Sequence, residues 1–309
     1  MNSATQTTDW WTTTRRMLEM IRFSHTVFAL PFALLSAVMA WQMPGTEFQW
    51  RHLAGIVLCM VTGRSVAMAV NRLADRRIDA ANPRTQGRHL PSGTLTVAGV
   101  SSFALLMAVA FVASTALFWP NWLPLALSLP VLIFLCGYSW TKRFTWGAHY
   151  WLGTALMLAP ICAWIALRGE LVLERPADIL PAVALGLAVL LWVSGFDILY
   201  ACQDYDFDRQ AGLRSVPVRF GIPTALRIAA AGHLGMVILL GCLPSLSPEL
   251  DWGWIYYTSV AAIAVLLAIE HYLVSPRDLT RVNVAFFHIN AVVSLGLLAT
   301  GMLDLLTKY

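Results

Sequence analysis

The sequence predicts an all-α membrane protein with nine transmembrane helices, and three observations lead to this fold class. Hydrophobic residues make up 58% of the 309 positions and charged residues only 12%, and the mean hydropathy is +0.65. A soluble domain cannot hide this much apolar side chain. The apolar residues are also grouped into long runs, and most charged residues fall between those runs.

Nine apolar runs are long enough to cross about 30 Å of hydrocarbon as helices. In chain order they cover residues 24–42, 53–72, 96–117, 122–139, 150–168, 179–201, 222–243, 254–274 and 282–303. Two longer loops, 73–95 and 202–221, are expected after the second and sixth helices. We expect residues 1–309 to form one integral-membrane domain, in which residues 1–20 are a polar cytoplasmic segment.

Basic residues are distributed unequally between the two sides of this predicted bundle. With the N-terminus in the cytoplasm, 15 arginines and lysines fall on the cytoplasmic side and 4 on the other. Cytoplasmic loops carry such an excess, so we expect a multi-pass protein of the plasma (inner) membrane whose N-terminus and two long loops are cytoplasmic. The net charge of +4 then reflects loops beside anionic lipid. It does not indicate nucleic acid binding, and no obligate protein partner is evident.

The first acidic cluster lies at the cytoplasmic end of the second predicted helix and contains Asn71, Asp75 and Asp79. Four-residue steps along an α-helix turn by about 400°, so these three side chains form one stripe. We expect the stripe to face a single cavity.

The second acidic cluster lies at the cytoplasmic end of the sixth predicted helix. Its members Asp197, Tyr200, Asp204 and Asp208 form a stripe by the same arithmetic. Asp206 points to nearly the opposite side of the helix, so we exclude it from the site.

Together the two stripes offer five carboxylates and one amide, and these oxygen ligands suit Mg²⁺. Magnesium is usually held by one or two carboxylates together with substrate phosphates and waters. The pattern therefore predicts that Mg²⁺ and a diphosphate bind between the stripes. The alternative is that these acids are ordinary loop charges, and it would pair them with the neighbouring residues Arg72, Arg76, Arg77 and Arg209. The same spacing at the same membrane face in both clusters favours the metal.

Arg64 lies seven residues before Asn71, on the same helix face and about 10 Å deeper in the membrane. A buried charge in a membrane is costly, so it needs a partner. We expect that partner to be a substrate phosphate or an acceptor carboxylate; the structural alternative is an ion pair with Asp197.

Further basic and aromatic residues near the same membrane face are candidates for binding phosphate. Arg84 and Arg88 lie in the loop after the first cluster, and guanidinium groups bind phosphate through two parallel hydrogen bonds. Tyr138, Lys142 and Arg143 end the fourth predicted helix. The alternatives are a solvated basic loop and a simple topology signal. The histidines show no ligand spacing, so we expect them to pack in the core or at the membrane interface.

These motifs, taken in order, resemble the intramembrane aromatic prenyltransferases of the UbiA superfamily, close to the 4-hydroxybenzoate polyprenyltransferases. The resemblance covers nearly the whole chain. It rests on residues 71–93 (NRLADRRIDAANPRTQGRHLPSG), 138–145 (YSWTKRFT) and 200–208 (YACQDYDFD). One departure is Arg72, where many members of the family have Asp, and it leaves the number of metal ions open. The Arg72 form resembles the subgroup that serves menaquinone through a naphthoate intermediate.

The resemblance implies a nine-helix bundle around a central cavity, Mg²⁺ held by both acidic motifs, and transfer of a polyprenyl group to an aromatic ring. The implied metal ligands are Asn71, Asp75, Asp79, Asp197, Asp204 and Asp208. The substrates are a polyprenyl diphosphate and an aromatic hydroxy acid in the lipid bilayer. The acceptor is of the 4-hydroxybenzoate type, or a dihydroxynaphthoate. Arg22 or Arg64 is expected to hold its carboxylate.

Two other classes fit less well. A secondary transporter requires broken helices near the midplane of the membrane, whereas these carboxylates cluster at one face. A phospholipid-headgroup transferase requires a single Gly-rich acidic cluster, and the sequence has none.

Overall fold

The computed structural model describes residues 10–21, 28–274 and 288–307. Within these ranges the chain forms helices and turns, and no strand occurs. The α-helices are, in chain order, α1 (Trp10–Met20), α2 (Leu30–Gln42), α3 (Trp50–Ala81), α4 (Val97–Ser114), α5 (Leu123–Thr141), α6 (Ala148–Glu174), α7 (Leu180–Ala201), α8 (Tyr205–Gln210), α9 (Val216–Phe220), α10 (Ile222–Leu246), α11 (Trp254–Leu273) and α12 (Asn290–Leu306).

The all-α membrane fold class is confirmed. Among the described residues, seven helical segments are long and apolar enough to span a membrane: Trp50–Ala81, Val97–Phe118, Leu123–Thr141, Ala148–Glu174, Pro176–Gln210, Ile222–Leu246 and Trp254–Leu273. Helices α2 and α12 are apolar but have 13 and 17 residues, and each begins two residues after the start of a described range. The predicted total of nine spans therefore remains a prediction.

Both predicted long loops are partly helical. Helix α3 continues nine residues past its predicted end and stops only at Asn82, whose backbone is extended (φ −91°, ψ 119°). The physical reason is Pro83, because a residue before proline is pushed out of the helical conformation. The second loop contains a 3-10 turn over Cys202–Asp204, followed by α8 and α9.

Helix α7 is the centre of the bundle, with α6 and α10 packed closely against it. Glycines allow this close packing. A Cβ at Gly153 of α6 would lie 2.6 Å from the Leu190 carbonyl oxygen of α7, and a Cβ at Gly195 of α7 would overlap the His233 ring of α10. The helix backbones can approach this closely only without those side chains.

The ends of three long helices meet on one side of the bundle. Helices α3, α5 and α7 run in the same direction and end at Ala81, Thr141 and Ala201, close to the loop that follows α3. The acidic and basic residues at those ends therefore come together around one cavity.

Candidate active site

A cavity of about 290 Å³ lies where α3, α5 and α7 end. All thirteen described residues that the sequence singled out for the site line it: Arg64, Asn71, Asp75, Asp79, Arg84, Arg88, Tyr138, Lys142, Arg143, Asp197, Tyr200, Asp204 and Asp208. Arg22 lies outside the described residues. The structure thus brings the predicted residues together, and their individual roles remain predictions.

The first acidic stripe follows from the unbroken helix α3. Asp75 accepts a hydrogen bond from the Asn71 amide (2.9 Å) and forms an ion pair with Arg143, in the turn after α5 (2.9 Å). One turn later Asp79 pairs with Arg88 of the following loop (2.7 Å). The stripe is therefore neutralised by arginines from two other parts of the chain, and not by the neighbouring arginines of α3 that the loop-charge alternative required.

The second acidic stripe has a different backbone from the one expected. The prediction assumed one continuous helix through Asp208, and this was wrong, because a 3-10 turn over Cys202–Asp204 separates α7 from α8. At Asp204 the backbone leaves the helical region (φ −96°, ψ 7°). Asp208 still reaches the cavity, whereas Asp206 is exposed and does not line it.

Arg84 bridges the loop after α3 to the end of α7. Its guanidinium binds both carboxylate oxygens of Asp204, with an Nε–Oδ1 distance of 2.8 Å, and its third nitrogen donates to the Tyr200 hydroxyl (2.6 Å). Burial lowers the pKa of Arg84, but the hydrogen bond and charge of Asp204 outweigh burial and raise it above its ordinary value. The group therefore stays charged at any physiological pH.

His149 and Asn82 contact the site carboxylates, and sequence reasoning missed both. The backbone N–H of Val216 donates to His149 Nε2 (3.3 Å), so Nδ1 carries the proton of the neutral ring and donates to Asp197 (2.6 Å). Asn82 lies 3.5 Å from Asp204. His149 is fully buried, as expected of a core histidine, but a single histidine in sequence gave no signal for its bond to Asp197.

Lys142 lies at the end of α5, near acids from both stripes. Burial lowers its pKa, but the negative charges of Asp208, Asp197, Asp204 and Asp75 outweigh burial and raise it. The ammonium group is thus held charged between the two acidic motifs. In that position it can attract an anion such as a diphosphate that binds together with Mg²⁺.

The oxygen atoms of the site fit a bound Mg²⁺. Asp79 Oδ2 and Asp208 Oδ2, one from each stripe, are buried at the cavity and have no hydrogen-bond partner in the described parts of the chain. In the same parts no three His, Cys, Asp or Glu side chains are close enough to hold a metal by themselves. The unpartnered oxygens suit an ion that takes one or two carboxylates and completes its coordination with phosphate and water.

Arg64 lies deeper along α3, between the polar cavity and a second, apolar one. The apolar cavity encloses about 170 Å³ among α3, α4, α5 and α6, and Arg64 and Tyr138 line both cavities. The Nε of Arg64 is buried without a partner, and Arg64 forms no ion pair within the described residues. Asp197 binds His149 instead, so the structural alternative for Arg64 was wrong.

Arg72, the departure from the family motif, is buried at the edge of the cavity. Its guanidinium contacts the Met20 carbonyl oxygen at the end of α1 (3.5 Å) and Asn71 Oδ1 (3.4 Å). An aspartate here would add a carboxylate to the first stripe, whereas Arg72 uses the position to connect α1 to α3.

Comparisons with known proteins agree on one family. Residues 29–292 match the family described as the UbiA prenyltransferase family. The chain is 32% identical to the 4-hydroxybenzoate octaprenyltransferase of Methylobacillus flagellatus, over 80% of this chain and 79% of that one. It is 29% identical to the enzyme of the same name from Vibrio campbellii, over 81% and 84% of the two chains.

Solved structures show the same fold. The apo structure of a UbiA homolog from Aeropyrum pernix K1 superposes with a TM-score of 0.79 and 29% identity, over 91% of this chain and 97% of that one. A UbiA homolog from Archaeoglobus fulgidus, solved with GPP and Mg²⁺, gives a TM-score of 0.67 at 19% identity, over 94% and 99%.

Proposed function

The chain belongs to the UbiA prenyltransferase family, and we propose that it transfers a polyprenyl group from a polyprenyl diphosphate to a ring carbon of an aromatic hydroxy acid. Diphosphate is released, and the product serves respiratory quinone biosynthesis. The relatives named 4-hydroxybenzoate octaprenyltransferase support an acceptor of the 4-hydroxybenzoate type.

One observation carries this proposal: a cavity lined by acids and arginines borders an apolar cavity, and Arg64 and Tyr138 line both. The two environments match the two parts of a polyprenyl diphosphate. Each buried methylene of the tail contributes roughly 0.8 kcal/mol, so the apolar cavity anchors the donor while its head reacts.

The acidic stripes are the proposed Mg²⁺ ligands, with Asp75 and Asp204 central and Asn71, Asp79, Asp197 and Asp208 around them. When bound, Mg²⁺ would neutralise the charge that builds on the departing diphosphate. In the described structure Asp75, Asp79 and Asp204 are paired with arginines. We propose that those arginines turn from carboxylate to phosphate when the donor binds, because guanidinium binds both groups with the same fork of donors.

The charges in the site support the two steps of prenyl transfer, which are ionisation of the donor and attack by the acceptor ring. The carbon–oxygen bond of the allylic diphosphate breaks, and the diphosphate leaves with the electron pair. Arg84, Arg88, Arg143 and Lys142 stabilise that leaving group in a site with little water. The ring of the acceptor bonds to the prenyl cation with a π electron pair, and the proton that the ring loses is taken up by the departing diphosphate.

The acceptor carboxylate is proposed to bind Arg64. The Nε of this guanidinium is buried and has no partner among the described residues, and Arg64 lies at the junction of the two cavities, beside the place where the tail would join the diphosphate. A dihydroxynaphthoate is a second candidate acceptor, and Arg72 favours it, since the arginine form of the motif is similar to the naphthoate subgroup. Both acceptors carry a phenol and a carboxylate.

A panel of acceptors tests the function. Membranes containing the protein are given one polyprenyl diphosphate with 4-hydroxybenzoate, 1,4-dihydroxy-2-naphthoate or 4-hydroxybenzyl alcohol, and prenylated product and diphosphate are measured. We expect product only with the two carboxylates. In the Arg64→Met variant the KM for the acceptor should rise more than the KM for the donor. Product formed only from the alcohol would overturn both candidate acceptors.

The orientation in the membrane is also a proposal, supported by the excess of basic residues at the end of the bundle that holds the site. In a parent whose five native cysteines are replaced by alanine, Gln86→Cys should react with an impermeant maleimide only from the cytoplasmic side. Glu47→Cys at the opposite end is the matched control and should react only from outside. The reverse pattern would show that the site faces away from the cytoplasm.

A further inference from the structure

A network of buried polar side chains lies behind the residues that line the polar cavity, and four helices contribute to it. The Trp192 indole of α7 donates to Asn290 Oδ1 of α12 (2.6 Å), and the Asn290 amide donates to Glu270 of α11 (3.0 Å). His233 of α10 contacts the Trp192 carbonyl (3.2 Å) and His271 (2.9 Å). The two histidines, which show no ligand spacing in the sequence, are neighbours in the structure.

Chemistry fixes the direction of each hydrogen bond. The Trp192 carbonyl can only accept, so His233 Nε2 carries a proton, and the Nδ1 of a neutral His233 accepts from His271. The indole N–H can only donate, so Asn290 presents its oxygen to Trp192 and its amide group to Glu270. Asn290 is thus held at both ends, and it holds the indole in one orientation.

Trp192 connects this network to the cavity through aromatic contacts. Its ring centroid lies 5.0 Å from that of Phe196, with an angle of 84° between the rings, and 6.4 Å from that of Phe28, at 86°. Phe28 and Phe196 in turn lie 5.8 Å apart, and both line the polar cavity. Trp192 itself is fully buried and does not line it. Phe28 and Phe196, which we call the aromatic wall, therefore line the cavity and pack against the indole behind them.

Polar side chains are expensive inside a membrane protein, and four of this network are almost fully buried: Trp192 and Asn290 are 0% exposed, Glu270 1% and His233 2%. Hydrogen bonds between membrane helices serve helix association. Association alone does not require that the network end on Trp192, against which Phe28 and Phe196 of the cavity lining both pack.

We propose that Asn290 is a positioning residue for prenyl transfer: it holds Trp192, and Trp192 sets the angle at which the Phe28 and Phe196 rings face the cavity. This inference rests on the proposed function. The edges and faces of the rings differ in electrostatic sign, so their angle determines how well they stabilise an allylic cation. The same packed rings exclude water from it.

If the aromatic wall of Phe28 and Phe196 were disordered, water would compete with the acceptor ring for the prenyl cation. Water that reaches the cation forms a carbon–oxygen bond and loses a proton to the diphosphate, so the products are a polyprenyl alcohol and diphosphate. With a correctly placed wall, the acceptor ring captures the same cation. The ratio of alcohol to prenylated acceptor therefore reports on the wall, and a change in the amount of folded protein does not alter it.

The experiment compares full-length variants in nanodiscs, with 4-hydroxybenzoate or the dihydroxynaphthoate as acceptor. Asn290→Leu removes the hydrogen bonds to Trp192 and Glu270, and Trp192→Phe keeps a ring but removes the N–H donor. Both should raise the fraction of polyprenyl alcohol and lower turnover by roughly tenfold, the order expected for a displaced cation–π contact. The KM for the donor should stay near that of the unchanged protein.

Tyr256→Phe is the matched control. The Tyr256 side chain is also fully buried, its hydroxyl donates to the Leu240 carbonyl (2.7 Å) between α10 and α11, and its ring packs against Trp252 and Tyr257. Its alcohol fraction should match that of the unchanged protein, and an equal rise in this variant would overturn the inference. If Asn290→Leu does not fold, Trp192→Phe decides, and an unchanged product ratio there also overturns it. If the unchanged protein forms no prenylated acceptor at all, the proposed function has failed instead.

Discussion

The two ends of the bundle use the same residue types for different purposes. At the end that holds the site, Arg84, Arg88 and Arg143 each pair with one aspartate, and their side chains are 33%, 25% and 32% exposed. At the opposite end Arg168 pairs with Asp178, and these side chains are 4% and 12% exposed.

Arg168 is satisfied entirely by the protein. Its guanidinium donates twice to Asp178 (2.9 and 2.6 Å), and also to the Pro44 carbonyl (3.0 Å) and the Thr46 hydroxyl (2.7 Å). The Trp164 indole donates to the same aspartate (3.0 Å). Arg168, which has non-helical backbone, thus connects α6 to the 3-10 turn before α7 and to the loop after α2.

The comparison shows how a structural ion pair differs from a binding site. At the Arg168 end each guanidinium nitrogen has a partner in the protein. At the site end, carboxylate oxygens of Asp79 and Asp208 and the Nε of Arg64 are buried without partners among the described residues, and the arginines remain accessible from the cavity. Unsatisfied buried polar atoms are costly, and a ligand that satisfies them recovers that cost.

Metal removal should cause the largest loss of activity, and it should leave the Arg168 end of the bundle unaffected. A chelator in excess should abolish prenyl transfer, because the two stripes would repel the diphosphate without cations, and added Mg²⁺ should restore it. The measurement is diphosphate release before and after each addition, with thermal unfolding in detergent as the control. Full turnover in excess chelator would contradict the proposed metal.

Breaking one ion pair at each end should separate stability from activity. Arg168→Met leaves Asp178 buried without its partner and should lower the free energy of unfolding by about 3 kcal/mol. Arg143→Gln should change it by less than about 1 kcal/mol, because that pair is partly exposed.

The matched readout for this pair of variants is turnover per folded molecule. It should fall in Arg143→Gln, which loses a proposed phosphate contact, and should stay within about twofold in Arg168→Met, which does not touch the site. If both variants lose stability equally and keep full turnover, the distinction between the two ends is wrong.

The sequence predicted the first stripe better than the second. Asn71, Asp75 and Asp79 lie on one uninterrupted helix, so the four-residue spacing was sufficient. Between Tyr200 and Asp208 the helix changes to a 3-10 turn, and nothing in the local sequence marks that change.

Partners that are distant in sequence were the part that spacing could not reveal. Arg84 and Asp204 are 120 residues apart, and their bond depends on how the loop after α3 meets the end of α7. The bond from His149 to Asp197 depends likewise on the contact between α6 and α7. Such contacts follow from packing in three dimensions, whereas helical phase follows from sequence alone.

The central claim is that acids of both motifs hold the metal and diphosphate, and three variants test it most directly. Asp75→Asn and Asp204→Asn keep size and shape but remove one charge from each stripe, so turnover should fall by at least ~10² in each. Asp206→Asn is the matched control and should be nearly silent, because Asp206 is exposed and does not line the cavity. Turnover is measured at matched protein levels; an inactive Asp206 variant beside active Asp75 and Asp204 variants would contradict the assignment of the cavity.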